Sequence, residues 1–207
     1  TTGNQNIAIG HNAINGGTVT GDNNIAIGAS AGDALTSGNE NIFIGTEAGG
    51  TTTTGTHIIA IGRKAAEANI TTDGSYSVFI GGYAGNQITS GIGNVAIGFA
   101  ALDAENDGDY NTAVGYLALT DQTGVSGTVA NTAVGYKAGT EITTGIKNTM
   151  IGAYAGYSSL LPDNCTLVGY NAGGSAVMTA DADGTVAIGM NTLGQLTSGI
   201  GNVAVGY

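Results

Sequence analysis

Few residues of this chain carry reactive or ligating side chains, and their spacing decides what they can do. The densest group is the run DAENDGD at 103–109. Asp103, Glu105 and Asp107, followed by Gly108, match the opening of a calcium loop of EF-hand type, where oxygen ligands alternate through a tight turn. With Asp109 they form the metal candidate, and calcium is the one cofactor these residues suggest. The twelfth position of such a loop needs a bidentate Glu, and here it is Val114. A solvated turn is therefore the competing reading, and Asp181 and Asp183 in ADADG are a weaker version of the same pattern. Phe99, Tyr116, Tyr136 and Tyr170 each follow a glycine and form a second candidate. A stripe of exposed rings can stack on sugars, or it can be a packing ladder. His11 and His57 have no matching Ser or Cys nucleophile motif, and no pair of carboxylates recurs in an acid/base arrangement. The glycine-rich strings lack the strand-to-helix context of a phosphate loop. No enzyme is expected.

Composition narrows the class further. The chain has 207 residues, 38 of them Gly, with one Pro, no Trp and 9% charged residues. Its 42% hydrophobic content is mostly Ala, Ile and Val, which suits thin β layers and argues against disorder. Collagen would need Gly at every third position with abundant Pro. Arg63, Lys64, Lys137 and Lys147 are the only cations against a formal charge of −11. No basic patch is available to neutralise phosphates, so nucleic acid is not an expected partner. No apolar run approaches the roughly 20 residues of a membrane helix. Cys165 is alone, so no disulfide can form within the chain.

The elements that position these residues follow from an internal repeat. The unit is Asn–apolar–apolar–Ile/Val–Gly, usually with Ala three residues after the Gly. Its glycines are Gly10, Gly28, Gly45, Gly62, Gly81, Gly98, Gly115, Gly135, Gly152, Gly169, Gly189 and Gly206, spaced by 17 to 20 residues. Coils are numbered below by these glycines. The position before the Gly is β-branched in all twelve copies, which favours extended backbone. Asn opens eight copies, where stacked amides can form a ladder along one corner, and Cys165 occupies the same slot in coil 10. Connectors such as LTSGNEN (35–41) and ITTGIKN (142–148) read as turns. The hydrophobic runs are too short for helices. The expectation is an all-β fold: one repeat domain over 1–207, a parallel β-solenoid or β-roll of about twelve coils and roughly 50 Å long. The chain reads as a fragment of a longer fibrous protein.

Alternation along the strand places the first and third apolar slots on one face and the middle slot on the other. The expectation is that the first and third fill the coil and the middle slot faces outward. That middle slot is Ala in eight copies and Phe43, Phe79, Met150 and Leu167 in the rest. Both faces are then apolar, so one must be covered by something outside the coil. Identical chains around a rotational axis are the economical cover, and a homotrimer is favoured. Thr112, Thr132, Thr149 and Thr166 take the first slot in four consecutive coils. Such a row raises a monomeric solenoid that binds ice as an alternative, or with the acidic run a calcium-dependent binding module, with packing the expected role of the row.

The wording NIAIGxxA, NVAIGFAAL and NTAVGYxA resembles the head repeats of trimeric autotransporter adhesins. NTAVGYLAL (111–119) and NTAVGYKAG (131–139) are also similar to repeats of bacteriophage tail-fibre and tail-spike proteins. The resemblance covers all twelve units. It implies a trimer of left-handed parallel β-rolls, outside the cell or on a virion, that holds or contributes an adhesive surface for a glycan or protein receptor. The repeats here run longer than the roughly 14 residues usual in autotransporter heads, which tilts the resemblance towards a phage-type fibre. A self-assembling extracellular filament subunit is the remaining alternative.

Overall fold

The computed structural model describes residues 3–71 and 76–207. Twelve strands, each three residues long, run from Ile7–Ile9 to Val203–Val205. They form one parallel sheet whose strand order follows the chain. Register is kept slot to slot: Ile7 pairs with Ile25, Ala8 with Ala26 and Ile9 with Ile27. Each circuit thus returns the chain one rung along, and the fold is a parallel β-solenoid of about eleven turns. A minor two-stranded pairing joins Gly108–Asp109 to Gly127–Thr128, and a 3₁₀ turn lies at Ala180–Ala182.

The strands are short because the glycine after them turns the chain out of the sheet. These glycines have φ between 126° and 148°, which side-chain-bearing residues rarely adopt. Space excludes a side chain as well: a Cβ on Gly98 would lie 2.3 Å from the carbonyl oxygen of Gly115 in the next coil. Corner backbone therefore stacks directly on corner backbone, and only Gly fits.

The amide ladder forms as expected. Asn24 donates its backbone N–H and Nδ2 to Asn6 Oδ1 at 2.8 and 3.0 Å, and a second Nδ2 hydrogen to the Gly38 carbonyl at 2.9 Å. Asn41 repeats the set on Asn24 and Gly55. Where the slot holds Cys165, its N–H still donates to Asn148 Oδ1 at 2.8 Å, and the thiol is buried.

The expected assignment of strand faces is reversed. Ala26, Phe43, Ala60, Phe79, Ala96, Ala113, Ala133, Met150, Leu167 and Ala187, all in the middle slot, are buried inside the coil. The Ile, Val and Thr residues on either side of them point outward and are half-buried or exposed. The Asn corner decides the parity. Its side chain is fully buried, so the next residue must face out, the middle one in, and the third out again.

Inside, residue sizes match across the coil. The fourth residue after the corner Gly has left-handed φ in coils 1 to 11, from Ile14 at 46° to Leu193 at 51°. It is Leu102 and Leu119 where the middle slot is Ala96 and Ala113. It is Gly49, Gly85, Gly156 and Gly173 where that slot is Phe43, Phe79, Met150 and Leu167. A Cβ on Gly85 would lie 2.2 Å from the Phe79 ring, and one on Gly49 2.5 Å from the Phe43 ring. Phe43 and Met150 also reach into the preceding coil, where they meet Gly32 and Gly139. In these coils one large side chain fills the space between the two slots, from one wall or the other, whereas coil 4 has Ala60 and Ala66 there and buries Ile58 and Ile70 instead.

Candidate functional site

The acidic run does not converge on a cation. Glu105 turns into the coil and is fully buried. Its Oε1 accepts from the N–H groups of Asn106, Asp107 and Gly108 at 2.9, 3.2 and 3.0 Å. Its Oε2 accepts from Gln122 Nε2 at 2.7 Å. Asp109 accepts from the N–H of Ile92 in the neighbouring coil at 2.9 Å. Asp103 lies at the margin of the core, with one carboxylate oxygen buried and unpartnered; burial, and then the charge of Asp121, push its carboxyl above the usual range. Among the described residues no three His, Cys, Asp or Glu side chains are grouped to hold a metal ion.

The aromatic residues do converge, into a column along the rod. Phe99 and Tyr116 stack with centroids 5.5 Å apart, and Tyr116 and Tyr136 at 5.6 Å. Where the slot after the Gly is small, at Gly82 and Ala153, the next residue supplies the ring. Tyr83 packs edge-on against Phe99, and Tyr154 packs edge-on between Tyr136 and Tyr170 at 5.2 and 6.0 Å. The Tyr136 hydroxyl, ahead of partial burial, raises the phenol of Tyr154 above its ordinary value. Arg63 lies over the Tyr83 ring at 4.4 Å and extends the column to coil 4. Tyr170, 53% exposed, meets Tyr154 only edge-on, whereas Phe99, 45% exposed, and the other stacked rings turn their faces to one another. Solvent meets mainly edges and hydroxyls, which suits a packing ladder better than a sugar platform. The spacing of Phe99, Tyr116, Tyr136 and Tyr170 makes the column legible. Tyr83 and Tyr154 escape a sequence reading because they enter it one position later, and Arg63, which stands in the ring slot itself, because it is not aromatic.

The most extensive feature is the outer face of the sheet. Its two rows, the first and third slots of twelve strands, contain Ile, Val and Thr alone, with no charged residue in a chain of net charge −11. At the usual strand spacing this face measures roughly 50 Å by 10 Å, at the upper end of the apolar patches that monomers expose. Thr112, Thr132, Thr149 and Thr166 belong to it and face outward, in register with one another. A different threonine row, legible only as the TSG and TTG of the connectors, runs elsewhere along the rod. There Thr36 and Thr143 each donate a hydroxyl hydrogen to a carbonyl of the next coil, Thr53 and Leu160, at 3.0 and 3.2 Å.

The fold class is thus an all-β parallel solenoid with one wide charge-free wall and an aromatic column. No family model, curated protein or solved structure matches the chain.

Proposed function

We propose that this chain is a structural and adhesive segment of a homotrimeric fibre of left-handed β-rolls, displayed on a virion or a bacterial surface and used in attachment. The observation that carries this reading is the outer sheet face: two apolar rows, uninterrupted by charge, on an otherwise acidic rod. A sheet face of that kind favours a cover, and a second copy brings a matching flat face without any cavity to fill. The trimeric number and the setting rest on the likeness of NVAIGFAAL and NTAVGYxA to adhesin-head and tail-fibre repeats. The role of the rod is extension and display, since each coil adds about 4.8 Å of length and repeats the same outer wall. Sedimentation equilibrium or native mass spectrometry tests the assembly. The expected mass is three times 20.2 kDa. A stable monomer at micromolar concentration overturns the proposal.

The outward direction of Thr112, Thr132, Thr149 and Thr166 favours a second reading, a monomeric ice-binding face. Thermal hysteresis in a freezing assay supports that reading, and its absence together with a trimeric mass dismisses it.

A further inference from the structure

A rod of near-identical coils has a problem of order, because any strand can pair with any other of the same pattern. It is sharpest at coils 7 and 8. Asn111–Tyr116 and Asn131–Tyr136 both read NTAVGY, so the strand Val95–Ile97 of coil 6 meets two equivalent partners. Pairing with the second would loop out a whole coil, yet the strands of coils 6 and 8 would still satisfy each other's hydrogen bonds.

The one buried charged side chain among the described residues lies at this junction. Glu105 occupies, in coil 6, the interior row that holds Leu35, Ile88 and Ile142 in other coils, all fully buried. Three of its bonds are to N–H groups within its own coil and form whichever coil stacks next. The fourth, from Gln122 Nε2 at 2.7 Å, comes from coil 7. Gln122 is buried in turn, and its Oε1 accepts from Asn131 Nδ2 at 3.0 Å, the residue that opens coil 8. If coil 8 stacked directly on coil 6, Glu105 would face Ile142, and a carboxylate oxygen would be buried against a methyl group.

We propose that the Glu105–Gln122–Asn131 chain is a register key, which fixes the order of coils 6, 7 and 8 where the strand sequences cannot. The hydrogen bonds run one way along the rod. Turning the Gln122 amide to suit another neighbour would set its oxygen against Glu105 and leave the Asn131 hydrogen without that acceptor. Coil 6 therefore accepts coil 7 and rejects coil 8. The inference concerns folding and is independent of the proposed fibre.

The test reads register by disulfide trapping during refolding, in a Cys165→Ala background. Val95 and Thr112 are direct neighbours across adjacent strands, whereas Val95 and Thr132 are two rungs apart, about 9.6 Å, too far for a disulfide. A Val95→Cys/Thr132→Cys pair therefore cross-links within one chain only if coil 7 is skipped. Little cross-link is expected with Gln122 in place. Gln122→Ile removes the coil 7 partner and leaves the local bonds of Glu105 intact. The trapped 95–132 product should rise about tenfold, the weight of one hydrogen bond to a charged group. Adding Ile142→Gln moves the partner to coil 8 and should raise it further. This swap keeps the composition of the interior row, so the test stands even where the single variant fails to refold. An unchanged 95–132 yield in the variants that refold overturns the proposal.

Discussion

If the middle slot and the residue six positions on share one space across the lumen, Phe43 and Gly49 must be coupled. Phe43 is fully buried, and truncation to Ala removes a ring that touches coils 2 and 3 through Gly32 and Gly49. That change alone should cost about 3–5 kcal/mol, the usual range for emptying an aromatic site. Gly49→Leu alone should also destabilise. Its Cβ would fall 2.5 Å from the Phe43 ring, an overlap that costs about 1–3 kcal/mol even after adjustment. The backbone is not the obstacle, because Gly49 has φ 59° and Leu119 sits at φ 51° in the same slot of coil 7. In the double variant the introduced leucine should swing into the space vacated by the ring, as Leu119 does beside Ala113. The double variant should therefore be more stable than the sum of the singles by at least about 2 kcal/mol, within the range measured for coupled neighbours. Recovery stays partial, because the space beside Gly32 remains empty. Urea unfolding of all four proteins, followed by far-ultraviolet circular dichroism, gives the cycle. Additivity within about 0.5 kcal/mol refutes the packing rule.

Other consequences follow from the corners and from burial. Gly98→Ala, whose Cβ would lie 2.3 Å from a carbonyl oxygen, should prevent folding of the rod, whereas Gly17→Ala, with φ 87° and nothing within 4 Å, should cost only about 1–2 kcal/mol of backbone strain in a thermal melt. Asn41→Ala removes acceptors and donors shared with Asn24, Gly55 and Ile58, and should cost about 2–3 kcal/mol by the same melt; equal stability of variant and parent would dismiss the ladder. Cys165 should resist alkylation in the folded chain and react on unfolding, because burial raises its thiol and hides it; fast labelling under native conditions contradicts this. Asp103 supplies a pH dependence. Its carboxyl is raised in the folded chain, so its charged form is disfavoured there, and the penalty sets in as pH rises from its ordinary 3.8 through the folded value. Asp103→Asn should stabilise the protein at pH 7 and leave it unchanged near pH 3, and a gain that persists at pH 3 excludes this account. Calcium should leave the melt of the parent protein unmoved, because Glu105 spends its carboxylate on N–H groups; a rise in melting temperature with calcium would restore the loop 103–109 as a site.

The repeat, the strands and the Asn ladder are legible in the sequence because each depends on one residue type at one spacing. Gly, Asn and the β-branched residue act through local backbone geometry and need no knowledge of what lies across the coil. Parity is misleading because hydrophobicity is a poor guide to the inside of so thin a rod. By that measure Ile and Val outrank Ala and belong in the core. A coil this narrow admits a single strand side chain per rung, and the choice is made by the corner on either side. A buried Asn at the start, followed by three residues and a Gly that stacks on Gly, permits only the middle residue to enter. The pairing of Gly49 with Phe43 and of Leu102 with Ala96 is also present in the sequence, six residues apart. Six matches neither strand nor helix periodicity, so the pairing has no signature until the coil is closed.

The reversal strengthens the case for association and changes its chemistry. With Ala outside, copies would meet through small residues and close backbone approach. With Ile and Val outside, copies would meet through two rows of branched side chains that have χ1 largely fixed in a strand and lose little entropy when covered. The Thr residues of coils 7 to 10 interrupt only the first of these rows; the third slot stays Val or Ile throughout. The third-slot row should therefore dominate assembly. Ile61→Lys, in a coil whose both outward positions are Ile, should release monomers in sedimentation, because it places a desolvated ammonium against an apolar wall. Thr149→Lys, beside Thr132 and Thr166, should weaken the assembly less. Equal effects of the two would show that the outer wall does not act as an apolar interface.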